Sequence, residues 1–268
     1  MSRPRDDSRR ILLLTEGRTT PLSAKTATGV IRYGHGQVVG LIDSTQAGQT
    51  AGALLGVGGD IPVCASLGQA PEADTLIIGI APAGGALTGG MRGVIGEAIE
   101  RGADAFVSTG GASAGDFDFI KDVISEEAAP AHVFKVAMKP GKPQVFGLFD
   151  GRPFFGLPGN PAAAIVSFEV FVRPGLRKLQ GCSRILPELF EVRFPFEQRY
   201  KPGRVFLLRT RVEPAADGGY EVVRPGEQDS SFLASLARAN AIVVLPPEGG
   251  SVPEGATRPA FWMGGAGR

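Results

Sequence analysis

The sequence predicts an α/β protein: a parallel sheet with helices on both faces, followed by a small all-β C-terminal domain. Two observations support this fold class. Short apolar runs alternate with helical stretches through the first two thirds of the chain, which is the order of parallel βαβ units. From about residue 182 onward, strand-like runs separated by Pro, Gly and Asp turns dominate, as in small β-domains.

An abrupt change in aromatic content divides the α/β part near residue 105. All 16 Phe residues lie at or after Phe106, and Tyr33 is the only aromatic residue before it. We therefore predict three segments. They are an α/β segment over residues 1–104, a second α/β segment over 105–182, and a β-barrel-like domain over 183–268.

Four short apolar runs bounded by Gly, Pro or Asp predict the strands of the first segment, with helices between them. The apolar spacing between residues 90 and 101 is that of an amphipathic helix. We expect the next apolar run to form a fifth parallel strand. The predicted strands cover residues 11–15, 38–42, 61–65, 75–80 and 104–108.

In the second segment a Gly-rich loop and a helix follow the fifth strand, and apolar runs predict three more strands. Asn160 is expected to cap a long helix with Pro161 at its first position, and Pro174 should kink that helix. The last segment contains four predicted strands and one short helix over residues 231–238. Those strands cover residues 190–196, 205–212, 220–223 and 241–245.

Composition excludes several classes of protein. Of the 268 residues, 43% are hydrophobic, too many for a disordered chain. Since 28 Lys and Arg oppose 27 Asp and Glu, a general affinity for nucleic acid is not expected. Cys64 and Cys182 cannot build a disulfide framework, and we find neither a signal peptide nor an apolar membrane span. We expect a cytoplasmic protein that binds neither nucleic acid nor membrane.

The strongest candidate for a binding site is the Gly-rich loop over residues 108–118, with the sequence STGGASAGDFD. Glycines allow backbone N–H groups to close around an anion, and a following helix N-terminus adds partial positive charge. Asp116 and Asp118 lie where the loop meets that helix. They either cap the helix or supply oxygen ligands to a divalent metal such as Mg²⁺.

Two further segments are candidates for the same site. The turn over residues 134–143, FKVAMKPGKP, carries Lys135, Lys139 and Lys142, whose compact ammonium groups suit phosphate or other oxyanions. Alone, this turn would also fit a solvated basic loop. The segment GLPGNP over residues 156–161 is a tight turn with a helix cap, or a ligand position where a strand ends at a sheet edge.

The order and sequence of these motifs resemble those of the molybdopterin molybdenumtransferases, the MoeA and gephyrin E-domain family. The resemblance covers residues 104–268, about 60% of the chain. Three further motifs support it: FVRP over residues 171–174, KPGR over 201–204 and SLARAN over 235–240. It implies a MoaB/Mog-like sheet for the middle segment and, for the chain, a homodimer.

The family inserts molybdenum from molybdate into adenylylated molybdopterin and releases AMP, assisted by a divalent metal, usually Mg²⁺. The resemblance therefore implies catalytic roles for Asp118, Lys135 and Lys139, and metal binding by Asp116 and Asp118. It also implies that seven residues bind the molybdopterin nucleotide or shape its pocket. These are Gly110, Gly111, Ser113, Lys142, Pro158, Asn160 and Pro161.

The first segment departs from this family. Members of the family carry further N-terminal domains. They also have a Ser-Thr-Gly-Asp-Glu motif after the first strand, where this chain has Thr15, Glu16 and Gly17. Residues 8–103 instead resemble the Rossmann-like N-terminal domain of poorly characterised proteins, some related to D-glutamate N-acetyltransferases. Two alternatives to the transferase follow: a catalytically incomplete molybdopterin-binding module, and an N-acyltransferase-like protein defined by the first segment.

Overall fold

The computed structural model describes residues 10–33, 36–80, 88–109, 132–149, 151–216, 218–225 and 238–265. The candidate residues Gly110, Gly111, Ser113, Asp116 and Asp118 lie outside these ranges, as do most of the helix predicted over 231–238 and the whole of the helix predicted near 119–125. The chain forms two compact units, Met1–Ala103 and Asp104–Arg268. The further division at residue 182 remains a prediction. No helix in the described ranges is long and apolar enough to cross a membrane.

The first unit contains a four-stranded parallel sheet with the strand order β3-β2-β1-β4. All four residues of β1 are buried, as expected for a strand covered on both faces of a parallel sheet. Helices α1, α2 and α3 add buried residues to the same core. The elements are β1 (Ile11–Leu14), α1 (Lys25–Tyr33), β2 (Val38–Ile42), α2 (Ala51–Leu55), β3 (Val63–Cys64), β4 (Thr75–Ile78) and α3 (Gly89–Glu100).

Two helices of this unit begin where side-chain chemistry favours it. Thr50 accepts a hydrogen bond from the N–H of Ala53 at the start of α2, and Thr88 accepts one from Met91 at the start of α3. Helix α2 ends at Gly56, which has a φ of 69° and so adopts the left-handed conformation that glycine tolerates.

The second unit begins with a four-stranded mixed sheet in the order β5-β9-β8-β6. Strand β5 is parallel to β9, whereas β8 is antiparallel to both β9 and β6. The predicted fifth strand is thus present, but it pairs with β9, nearly 50 residues further along the chain, and belongs to a different sheet from β1–β4. These strands are β5 (Phe106–Thr109), β6 (His132–Lys135), β8 (Pro143–Phe149) and β9 (Arg152–Leu157).

A long helix follows β9 and covers part of this sheet. Helix α4 (Pro161–Ser167) passes into a π-helical turn (Phe168–Val172) and then into α5 (Arg173–Leu179). The π-helical turn lies directly before the segment that contains Pro174, where proline cannot donate the usual backbone hydrogen bond. The kink expected at Pro174 remains a prediction. Phe155 and Leu157 of β9 pack against Val172 on this helix.

The rest of the chain forms a seven-stranded sheet in the order β13-β14-β10-β17-β15-β12-β7, together with a two-stranded sheet of β11 and β16. Its short edge strand β7 (Met138–Lys139) belongs to the turn over residues 134–143, which we call the lysine turn. This strand runs parallel to β12. The other strands are β10 (Phe190–Arg193), β11 (Gln198–Arg199), β12 (Val205–Thr210), β13 (Val212–Pro214), β14 (Tyr220–Val222), β15 (Ala241–Leu245), β16 (Ser251–Val252) and β17 (Thr257–Trp262).

Taken together, the two units confirm the predicted fold class. A parallel sheet packed with helices comes first and a β-rich part follows.

Candidate functional site

One edge of the four-stranded sheet gathers several of the predicted site residues. The pairing directions bring the carboxyl ends of β5, β9 and β6 and the amino end of β8 to the same edge. Thr109 pairs with Leu157 there, and Lys135 pairs with Pro143. Strand β5 therefore ends next to the turn after β9. We call this place the lysine edge.

The lysine turn connects β6 to β8 at this edge. The N–H of Val136 donates to the carbonyl of Lys142 at 2.8 Å, which closes the turn. Lys135 and Lys142 are both exposed beside this bond. Neither forms an ion pair with a carboxylate of the described residues.

Lys139 has a different environment from the other two lysines. It lies in β7, opposite Phe206 of β12, at the border of the seven-stranded sheet. Its Nζ atom lies 5.7 Å from the centroid of the Phe206 ring, a distance at which cation–π attraction stabilises the ammonium group. Lys139 is exposed and remains open to a ligand approaching from the turn. The structure thus joins Lys135 and Lys142 at one sheet edge and holds Lys139 against the β-rich sheet.

The turn after β9 completes the described part of the lysine edge. Pro158 is buried, and Asn160 caps α4 by accepting hydrogen bonds from the N–H groups of Ala162 and Ala163 at 3.1 and 3.2 Å. Pro161 occupies the first turn of the helix, as predicted. The side-chain oxygen of Asn160 is therefore committed to the cap, and the turn forms a fixed wall beside the lysines.

A second polar cluster, which sequence reasoning missed, lies at the carboxyl edge of the N-terminal sheet. Asp43 follows β2 and is fully buried. Its carboxylate accepts hydrogen bonds from the Thr19 hydroxyl and from the backbone N–H and the hydroxyl of Thr45, the last at 2.7 Å. The available signal was the polar residues that directly follow the apolar runs at 11–14 and 38–42.

Hydrogen bonding determines the charge state of this cluster. Burial acts to raise the pKa of Asp43, but hydrogen bonds from Thr19, Thr45 and the backbone of Gly17 outweigh it and lower the pKa below its ordinary value. The carboxylate is therefore ionised at neutral pH. Burial alone raises the pKa of the Cys64 thiol, which disfavours the reactive thiolate.

Glu16 is the other carboxylate at this edge. It accepts hydrogen bonds from the backbone N–H of Ser44, at 2.8 Å, and from the Ser44 hydroxyl. A Cβ atom placed on Gly90, in the first turn of α3, would lie 2.9 Å from the Glu16 side chain. Glu16 therefore connects the loop after β2 with the beginning of α3, where its negative charge is favourable.

The described residues contain no group of three or more His, Cys, Asp or Glu side chains arranged to hold a metal ion. Asp116 and Asp118, the predicted metal ligands, lie outside those residues. Their role as ligands therefore remains a prediction.

Comparison with known proteins first defines the class of each part. Residues 44–111 match a Rossmann-like domain of unknown function, DUF1611_N. Residues 80–178 match a probable molybdopterin binding domain, and residues 191–257 match the MoeA C-terminal region, domain IV. The first two matches overlap over residues 80–111, around the step in aromatic content near residue 105.

Comparison with individual proteins points to one kind of enzyme. A molybdopterin molybdenumtransferase of Nostoc sp. is 35% identical over 159 residues, which cover 57% of this chain and 36% of that protein. The enzyme of that name from Haemophilus influenzae is 35% identical over 156 residues, covering 58% of this chain and 38% of that protein. The chain thus spans little more than a third of the length of these curated relatives.

A crystal structure of a molybdopterin biosynthesis MoeA protein from Pyrococcus horikosii shares the fold. It aligns with a TM-score of 0.55 and 22% identity, covering 72% of this chain and 45% of that one. The resemblance predicted from the motifs is confirmed by these matches, including the separate, Rossmann-like origin of the N-terminal segment.

Proposed function

We propose that the chain acts in molybdenum cofactor biosynthesis, inserting molybdenum from molybdate into adenylylated molybdopterin with release of AMP. The observation that carries this proposal is the lysine edge. There, exposed Lys135 and Lys142 lie beside the Pro158–Asn160 turn, at the point where β5 leads into the predicted glycine loop. Molybdate and phosphate are oxyanions that ammonium groups bind well.

Within this proposal each residue has a defined task. Lys135 and Lys142 hold an oxyanion at the sheet edge, and Lys139 holds a second anionic group from the side of the β-rich sheet. Gly110, Gly111 and Ser113 cradle the pterin nucleotide, while Pro158, Asn160 and Pro161 form its wall. Asp118, with Asp116, serves the reacting side of the site.

Mg²⁺ belongs to the proposal through the family resemblance. The described residues offer no ligand set for it, so no step is derived through the ion. Titrating Mg²⁺ into the protein, and into an Asp118→Asn variant, tests the assignment. Binding lost in the variant supports Asp118 as a ligand, and equal binding by both proteins contradicts it. A homodimer is also expected and is checked by sedimentation analysis.

One alternative is favoured by a specific observation. The chain covers only 36% of its Nostoc relative, and residues 44–111 match a different family. A module that binds molybdopterin nucleotide without inserting the metal fits this partial coverage.

Molybdate-dependent release of AMP from adenylylated molybdopterin, with Mg²⁺ present, separates the two functions. Release above background supports the transferase. Tight nucleotide binding without release supports the binding module, and the absence of both overturns the pterin proposal.

A further inference from the structure

Gln144, near the start of β8, is buried at 6% exposure beneath the lysine turn. Its carboxamide nitrogen has two hydrogen atoms, and both are used. One is donated to the backbone carbonyl of Gly141 at 2.7 Å, the other to the hydroxyl of Ser167 at 2.6 Å. Ser167 is fully buried at the end of α4. A single side chain thus joins the turn to the helix that begins at the Pro158–Asn160 wall.

The contacts around Gly141 leave no room for a side chain at this position of the turn. Gly141 has a φ of 101°, and a Cβ atom there would lie 2.4 Å from Met138 and 2.8 Å from the Ser167 hydroxyl. Two hydrogen bonds therefore fix the turn: the backbone bond between Val136 and Lys142, and the bond from the Gln144 side chain to the carbonyl of Gly141. Lys139 and Lys142 flank the bonded carbonyl in sequence.

We propose that Gln144 is a positioning residue that fixes Lys139 and Lys142 relative to the Pro158–Asn160 wall. Its consequence for anion binding rests on the proposed function, whereas its effect on the turn does not. Each anion held by a lysine of this turn is bound more tightly when the backbone of the turn is fixed beforehand, because less conformational entropy is lost on binding. Gln144 contacts no ligand in this arrangement and acts only through the turn.

The test compares Gln144→Leu with Gln180→Leu, the same substitution at an exposed residue after α5. Hydrogen exchange at the amides of Val136 and Met138 reports the turn, and titration with molybdate and with AMP reports binding. Because Gln144→Leu removes both hydrogen bonds, we expect faster exchange at these amides and about tenfold weaker molybdate binding. If the protein catalyses the proposed reaction, the substitution should raise KM for molybdate and leave kcat unchanged. Gln180→Leu should change neither readout.

Unchanged exchange in Gln144→Leu overturns the proposal, and so does faster exchange with unchanged molybdate affinity. If the wild-type chain binds neither molybdate nor AMP, the proposed function fails, but the exchange readout still decides whether Gln144 fixes the turn. The two failures are therefore distinguishable.

Gln144→Glu provides a variant of the same size in case Gln144→Leu does not fold. An ionised Glu cannot donate to the Gly141 carbonyl, whereas a protonated one can. Relative to the wild type at each pH, exchange at Val136 should be fast near about pH 8 and should recover toward about pH 5, as a buried carboxyl with a raised pKa is protonated. If the ratio of the Val136 exchange rates in the variant and the wild type does not change with pH, the proposed role of the hydrogen bond to the Gly141 carbonyl is contradicted.

Discussion

The carboxyl edge of the N-terminal sheet and the lysine edge use charged side chains in opposite ways. In the first unit, Asp43 is buried and its oxygens accept hydrogen bonds from the loops around it. At the lysine edge, Lys135 and Lys142 are exposed and have no described carboxylate beside them. Charge that is satisfied internally stabilises a fold, whereas charge left facing solvent is available to a ligand.

Under the proposed function, this difference gives the two edges separate tasks. The carboxylates of the first unit hold its loops together and repel oxyanions. The lysines of the second unit would attract them. The matches agree with this division, since the molybdopterin binding domain covers both lysine-bearing strands and the turn after β9.

The largest effect is expected from Asp43→Ala. The substitution leaves the hydrogen-bond donors of buried Thr19 and of Thr45 without their acceptor. We expect local stability of the first unit to fall by about 3 kcal/mol. Hydrogen exchange at the amides of β1 and β2 measures this change, with exposed Asp60→Ala as the control. Molybdate affinity should stay the same, and a loss of it would break the division between the edges.

Lys139→Ala should produce the reverse pattern. Removing one charge-assisted contact should weaken nucleotide binding by about 1.5–3 kcal/mol and leave stability nearly unchanged, because the side chain is exposed. Titration calorimetry with AMP measures the loss. Lys178→Ala, which removes an exposed lysine from α5, is the matched control. Equal affinities in both variants would remove Lys139 from the site.

Local elements of this fold were predictable from the sequence, and contacts between distant residues were not. The strand Val38–Ile42 and the Asn160 cap follow from apolar runs and helix-start chemistry within a few residues. The pairing of β5 with β9 depends on residues nearly 50 positions apart, which no local pattern encodes.

The candidate site shows the same limit. The type of residue needed for an oxyanion, lysine, could be recognised along the chain, as could the glycine that the turn requires. The bond of Gln144 to Ser167 spans 23 positions, and that of Asp43 to Thr19 spans 24. Both side chains appear in the sequence as ordinary polar residues, and only the fold brings their partners to them.

Acid should destabilise the first unit through Asp43. Hydrogen bonds hold the pKa of this carboxyl below its ordinary value in the folded chain, despite the opposing effect of burial. The ionised form therefore stabilises the fold above about pH 4, and this contribution is lost as pH falls through the folded-state pKa. Exchange at β1 amides between about pH 6 and pH 3 measures it. Asp43→Asn should flatten this dependence, whereas Asp60→Asn should not.

The smallest effect is expected from Glu16→Gln. The two hydrogen bonds from Ser44 end on different oxygens of Glu16, so the amide oxygen of Gln keeps the one from the backbone N–H, while its NH2 group can donate to the Ser44 hydroxyl in place of the other. Without the negative charge both bonds become weaker. We expect a loss of about 1 kcal/mol in the local stability of the loop after β2, measured by exchange at the Ser44 amide, with exposed Glu72→Gln as the control. A loss as large as that of Asp43→Ala would mean that the Glu16 charge, and not its hydrogen bonds, holds this edge together. A change in molybdate affinity would place anion binding at both edges, against the division proposed for the molecule.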